Sequence, residues 1–376
     1  MTRTTPPRPV DAEALFPALA GHRRTSTRLH PRPGTPAADD SSVAGPLLWP
    51  AGEPWPVCTV AHRKGRGHLL SDVRLRRRIL DGAWHRDPAT GPTDAEREVL
   101  GSLRPGRHAP HIGDADPVPL LAVAQLFARD VPDLTGPEGC DLLQVLWCPF
   151  EAHGPDRSVD VVLKWHRAGD IGGVLAVMPE PVVVGRAECV PNACVLHPEQ
   201  VVEHEYEGLL DEDLQESVEA WEGGDDEGED GDGNGDGDGD GDGDSAWGTR
   251  APSGFGTYAE YAAAMAAAHA DEDAEVTYRG DLSIAPGWKV GGFASWHLTD
   301  PADIDCGTCG TPMPPLLTVA AGEWDGGCES WIPLEDRAAV PDSRISDPTG
   351  VHLGRGLMRV HTCPASPAHP HRLSFQ

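Results

Sequence analysis

The chain has 376 residues, of which 39% are hydrophobic, with 44 Gly and 37 Pro, enough for two ordinary modules or one large duplicated one built from short elements and many turns. Its formal charge of −30 argues against nucleic acid and anionic membrane as partners, and no apolar stretch of about 18 residues could span a bilayer. Twenty acidic residues and no Lys or Arg lie between Glu203 and Asp244, so the rest of the chain carries only about −10.

Residues 1–42, rich in Pro, Thr and Arg, read as a loose leader with one short helical candidate at Asp11 to Gly21. The start Met-Thr-Arg-Thr-Thr-Pro-Pro lacks a secretory apolar region, so a cytoplasmic setting is expected. Two basic clusters follow, Arg63, Lys64, Arg66 and Arg74, Arg76, Arg77, Arg78; they read as a solvated helix face in preference to an anion or partner site. Helical stretches are predicted at Asp72 to Trp84 and Thr93 to Leu103. Short apolar runs at Pro119 to Leu126, Asp141 to Trp147 and Val159 to Trp165 have the length and turn-rich flanks of strands. Leu210, Leu214, Val218 and Trp221 then form one stripe of an amphipathic helix that closes the first domain.

Residues 223–250 degenerate into Gly-Asp repeats, which have nothing to bury and read as an acidic disordered linker. The EF-hand frame opened by Asp236, Asp238 and Asp240 puts Trp247 where a bidentate Glu is needed, so calcium is not expected. An Ala-rich helix at Thr257 to His269 opens the second domain, 251–376.

Three blocks recur in order. Ala44-Gly-Pro-Leu-Leu-Trp49 matches Gly291-Gly-Phe-Ala-Ser-Trp296, and each Trp is followed by a cysteine, Cys58 or Cys306. Pro119-Leu-Leu-Ala-Val-Ala124 matches Pro315-Leu-Leu-Thr-Val-Ala320, and Leu142-Leu-Gln-Val-Leu-Trp-Cys148 matches Leu357-Met-Arg-Val-His-Thr-Cys363. The expected fold is therefore α+β and β-rich, an internally duplicated module whose first copy, 43–222, carries a helical insertion at about 72–105.

The nine Cys are read as thiols or metal ligands before disulfides. Cys306-Gly-Thr-Cys309-Gly310 sets two thiolates on one tight turn, and the prolines at 312, 314 and 315 deny it the helix start that a redox pair uses. Cys363 and His369 complete a predicted structural zinc site, with His371, His361 and Cys328 as alternative ligands. Cys58, His62, Cys148 and His153 form a second candidate site in the first copy, without the C-x-x-C. Cys140, Cys189 and Cys194 read as ordinary thiols, the last two making a loose alternative cluster with His197.

The blocks Lys289-Val-Gly-Gly, Trp296, Cys306-x-x-Cys309 with Leu316-Leu317, and Gly356 to Cys363 resemble the modules of the programmed cell death protein 2 family. The stretch Gly45-Pro-Leu-Leu-Trp49-Pro50 followed by Glu53-Pro-Trp55-Pro56 is similar to the bacterial YwqG-like family. Ala294 and Thr318 depart from the eukaryotic pattern, and no fourth Cys follows Cys363. The resemblance implies a zinc-stabilised protein-binding or escort module with an unknown, basic protein client. Immunity against a cationic toxin is one alternative. A zinc- or thiol-dependent enzyme is the other, although no P-loop, dinucleotide fingerprint, nucleophile elbow or H-E-x-x-H is present.

Overall fold

Apolar runs broken every few residues by Gly, Pro or Asp favour short strands over long helices, and the computed structural model is α+β and β-rich. It describes residues 2–87, 89–106, 112–154, 157–223, 276–325, 327–339, 343–354 and 356–376. The expected Gly-Asp linker, 223–250, lies outside the described residues beyond Gly223, as does the expected helix at Thr257 to His269.

In chain order the first half contains α1 (Ala12–Leu15), β1 (Arg23–Arg28), β2 (Arg32–Pro33), β3 (Ser42–Val43), β4 (Val57–Cys58) and β5 (His68–Leu69). Helices α2 (Leu70–Arg86) and α3 (Asp94–Ser102) then precede β6 (Val118–Pro119), β7 (Leu121–Phe127), β8 (Leu142–Trp147) and β9 (Val161–His166). There follow β10 (Val183–Val184), β11 (Cys194–Val195), β12 (Glu199–His204) and α4 (Glu212–Glu222). The second half adds β13 (Lys289–Gly291), β14 (Pro315–Ala320), α5 (Ser343–Ser346), β15 (Leu357–His361) and β16 (Arg372–Phe375).

Two six-stranded antiparallel sheets carry the fold, sheet I in the order β12-β1-β13-β14-β15-β16 and sheet II in the order β2-β11-β3-β7-β8-β9. Their registers run in parallel, strand by strand. Ser42 stands between Val195 and Gln125 as Lys289 stands between Arg28 and Thr318. Val145 stands between Ala124 and Leu163 as Val360 stands between Leu317 and Leu373. An extra residue bulges at the same place in each central strand, Val123 in β7 and Leu316 in β14. At the end of the opening strand, Ala44 and Gly291 both adopt positive φ, 49° and 74°.

By these registers the first and third sequence blocks coincide, Ala44 with Gly291 and Cys148 with Cys363. The second does not. Residues 122–127, not 119–124, occupy the place of Pro315–Ala320, so the Pro-Leu-Leu likeness is displaced by three residues. Apolar strand runs match one another at many offsets, and only the ladder fixes the register.

The leader expected to be loose is instead structural. Within it, β1 lies in sheet I between β12 and β13, with Ser26, Thr27 and Arg28 buried. The tripeptide Leu29-His30-Pro31 carries the chain from β1 in sheet I to β2 in sheet II, and Leu196-His197-Pro198 carries it from β11 in sheet II to β12 in sheet I. At this crossing Leu29 N donates to Trp288 O, and His197 N donates to Leu29 O. One apolar cluster runs through both halves, including Leu29, Val43, Val145, Trp147, Val290, Leu317 and Val360. Residues of 43–222 and 251–376 therefore share this cluster, while a second one, with Leu47, Trp49 and Leu146, lies within 43–222 alone.

Helices α2 and α3 occupy the expected insertion. Leu70 and Val73 enter the shared core, and a capping box formed by Thr93 and Glu96 starts α3. The basic clusters beside them hold backbone together. Buried Lys64 donates to the carbonyls of Gly113, Asp114 and Asp116, and Arg77 to those of Ala187, Val190 and Gly350. Arg74 pairs with Glu180. No helix among the described residues is long and apolar enough to cross a membrane.

Candidate metal centres

The loop that follows the opening strand of each sheet meets the residue just past the third block, and each meeting point gathers four Cys and His side chains: Cys58, His62, Cys148 and His153, and Cys306, Cys309, Cys363 and His369. In each quartet one candidate ligand atom per residue lies within 4.8 Å of the others. These are the eight residues singled out from the sequence.

At the first centre, Cys58 ends β4, which pairs with β6, and Cys148 follows β8 with its N–H on Asp160 O. His153 and Ser158 exchange backbone hydrogen bonds in both directions. His62 Nε2 lies 3.3 Å from both Cys58 Sγ and Cys148 Sγ, and His153 Nε2 lies 3.9 Å from Cys58 Sγ. The His62 ring stacks on Phe150 with centroids 4.4 Å apart and planes within 3°. Zn–S and Zn–N bonds at tetrahedral angles separate sulfur from nitrogen by about 3.6 Å, which these contacts approach.

The second centre is built on a knuckle. Cys306 N donates to Thr311 O, Gly310 N donates back to Cys306 O, and Gly310 sits at φ 71°, where glycine carries no Cβ penalty. His369 Nδ1 lies 3.4 Å from Cys306 Sγ and 3.4 Å from Cys363 Sγ, and Cys309 Sγ lies 3.5 Å from Cys363 Sγ. His361 is engaged elsewhere, with Nδ1 3.0 Å from Met313 O and Nε2 2.9 Å from Ser374 Oγ. Cys328 Sγ accepts from Asp325 N. Neither these two nor His371 joins the quartet. Cys189 and Cys194 are buried thiols pushed up by burial, Cys194 to about 12, and Cys140 is half-buried; with His197 they form no cluster among the described residues.

The electrostatics of each centre follow from its surroundings. Burial, helped by His153 and Lys64, holds His62 neutral down to about 4, leaving a lone pair for a cation. Burial and the neighbouring Cys58 raise the Cys148 thiol, the expected state of paired sulfurs with no cation between them. Hydrogen bonds from Thr311 draw Cys309 down to about 7, toward the thiolate that binds metal.

A pH dependence follows for metal-free protein. The folded pKa of His62 lies below its unfolded value near 6.5, so between the two the unfolded chain binds the extra proton. Stability is expected to fall as pH drops from about 6.5 to about 4. A series of urea midpoints would measure this, and His62→Asn should make the curve shallower in that window, His197 and His361, also held to about 4 by burial, keeping part of the slope.

The sequence reading missed the buried charges of sheet I, Arg28, Lys289, Arg359 and Glu203. For Arg359 the signal is a charge between apolar residues of one strand, Leu357-Met-Arg-Val-His361. Compared with known proteins, the chain matches no protein-family model and no curated protein.

Proposed function

We propose that both quartets hold zinc in closed structural sites and that the chain is a protein-binding or escort module, not an enzyme. The observation that carries the zinc reading is the gathering of two complete Cys/His quartets at near-tetrahedral spacings. Thiolate and imidazole suit zinc better than calcium or magnesium. Four protein ligands leave no position open for water or substrate, unlike a catalytic zinc site.

We read the chain as an internally duplicated member of the YwqG-like family, distantly related to the programmed cell death protein 2 modules. Supporting the duplication are the shared strand order, the registers, the paired bulges and the two Leu-His-Pro crossings. Supporting a basic protein client is the charge of −30, which would speed encounter with it and make binding salt-sensitive.

Metal analysis of protein purified from zinc-supplemented culture is expected to return two zinc ions per chain, and none would sink the reading. In the same cells, crosslinking should recover one basic protein in stoichiometric amount whose retention weakens as salt rises. Recovery of the chain alone would count against the escort role.

A further inference from the structure

Away from the metal centres, a cavity of about 610 Å³ opens over sheet I. Its floor is a row of aligned positions on three neighbouring strands, Lys289, Thr318 and Arg359. The charges of that row are unevenly matched. Lys289 Nζ is 2.6 Å from Glu203, which is fully buried and also accepts from Ser26 Oγ and the N–H groups of Ala285 and Phe293. Arg359 is 1% exposed and, among the described residues, forms no ion pair. Its Nη2 donates to Ser295 O and Oγ, it lies 5.5 Å from the Trp296 ring, and Nη1 has no partner; Thr318 Oγ1 on the adjacent strand also has none. Burial alone pushes this guanidinium down to about 10. A buried charge without a counter-ion costs several kcal/mol, so an anion brought to it gains what the fold leaves unsatisfied.

The matching row of sheet II carries no charged side chain, Ser42, Gln125 and Gln144 taking these places. Gln144 and Gln125 stand where Arg359 and Thr318 stand, and Gln144 Nε2 donates to Gln125 Oε1 at 2.9 Å. Gln125 Nε2 donates in turn to Ala38 O and Asp40 O. That network is neutral and holds no charge, although Gln144 Oε1 and Ser42 Oγ have no partner in it. In sheet I the same positions carry a cation, an orphan hydroxyl and an open cavity.

We propose that this cavity binds a small organic acid, its carboxylate on Arg359 and Thr318 and its apolar body along Ile284, Leu298 and Trp324. The volume is that of an ordinary small-molecule site, and a few polar groups among apolar walls are the usual design of such sites; Arg279, Lys289 and His297 also line this one. Asp325 is the acidic residue of the wall; its carboxylate accepts from Gly327 N and faces Cys328 Sγ.

Octanoate, its neutral amide and inorganic phosphate, each titrated calorimetrically into the full chain, test this. Octanoate should bind one to one, with the amide and phosphate weaker by roughly tenfold or more. Arg359→Gln, which copies Gln144, should lose octanoate binding by a similar factor. Leu298→Asp, at a half-exposed wall position that the fold does not depend on, should weaken it too and serves if the arginine variant does not fold. Failure of octanoate to bind at millimolar concentration would overturn the proposal. So would equal affinity for the amide, preference for phosphate, or unchanged binding in either folded variant.

Discussion

Replacing Cys363 with serine is expected to abolish metal binding at the second centre and unfold the loops around it. Serine preserves the shape of the side chain but supplies no thiolate. Structural zinc contributes about 10–16 kcal/mol in small peptides, comparable to the whole stability of a domain, so even the part realised here is large. The apolar group around this centre is small among the described residues, formed by Cys306, Met313, Cys363 and Ile304, so little else holds the knuckle against β15. Metal content should drop by one ion per chain, thermal unfolding should shift down by many degrees, and a chelator should reproduce the shift in the wild type. Full metal retention in the variant would refute the assignment. Cys148→Ser should likewise lose its ion but keep more of its fold, because Cys58 and Cys148 sit in a larger cluster with Leu47, Trp49, Val118, Leu146 and Phe150.

Glu203→Gln is expected to cost about 3–5 kcal/mol, the usual penalty for stranding one member of a buried ion pair. Lys289 is buried beside it, and its other hydrogen bond goes to the carbonyl of Phe293, which cannot neutralise an ammonium. The loss should be visible as a lower urea midpoint with unchanged slope. It should also depend on pH. Burial lowers the Lys289 pKa, and without the Glu203 charge that fall deepens, so above the folded pKa the unfolded chain binds more protons. The stability of the variant should therefore recover on moving from neutral pH toward the unfolded lysine value near 10.4. A deficit that stays constant over that range would mean Lys289 is not the stranded charge.

The two Cys/His quartets were legible because coordination chemistry restricts both residue type and spacing, and a knuckle is a local feature. Helices α2, α3 and α4 were legible as helical stretches, α4 from the stripe of Leu210, Leu214, Val218 and Trp221. What escaped was long-range. Arg23-Arg-Thr-Ser-Thr-Arg28 contains no apolar residue, so nothing in its pattern says strand. Its second half is buried, and its side chains meet polar partners that only the fold supplies: Asp133 for Thr25 and Thr27, Glu203 for Ser26, and Thr5 and Trp331 O for Arg28. The Leu-His-Pro repeat escaped because three residues recur by chance too readily to be noticed. The displaced Pro-Leu-Leu match shows the opposite error, a likeness of composition mistaken for a likeness of position.

The exchange of β1 and β11 between the two sheets sets an order of events during synthesis. Arg28 and its neighbour Lys289 are 261 residues apart in sequence. At about 5–20 residues per second, the first emerges from the ribosome roughly ten to fifty seconds ahead of the second. Sheet II needs nothing beyond Val195, and β1 can pair with β12 as soon as His204 is made. The other edge of β1 must then wait, its backbone groups unpaired, for the rest of the chain. Throughout that interval the nascent protein presents an open strand to every other nascent copy nearby. Ribosomes spaced closely on one message would bring such edges together, so slower initiation should raise the yield of native chain more than slower elongation.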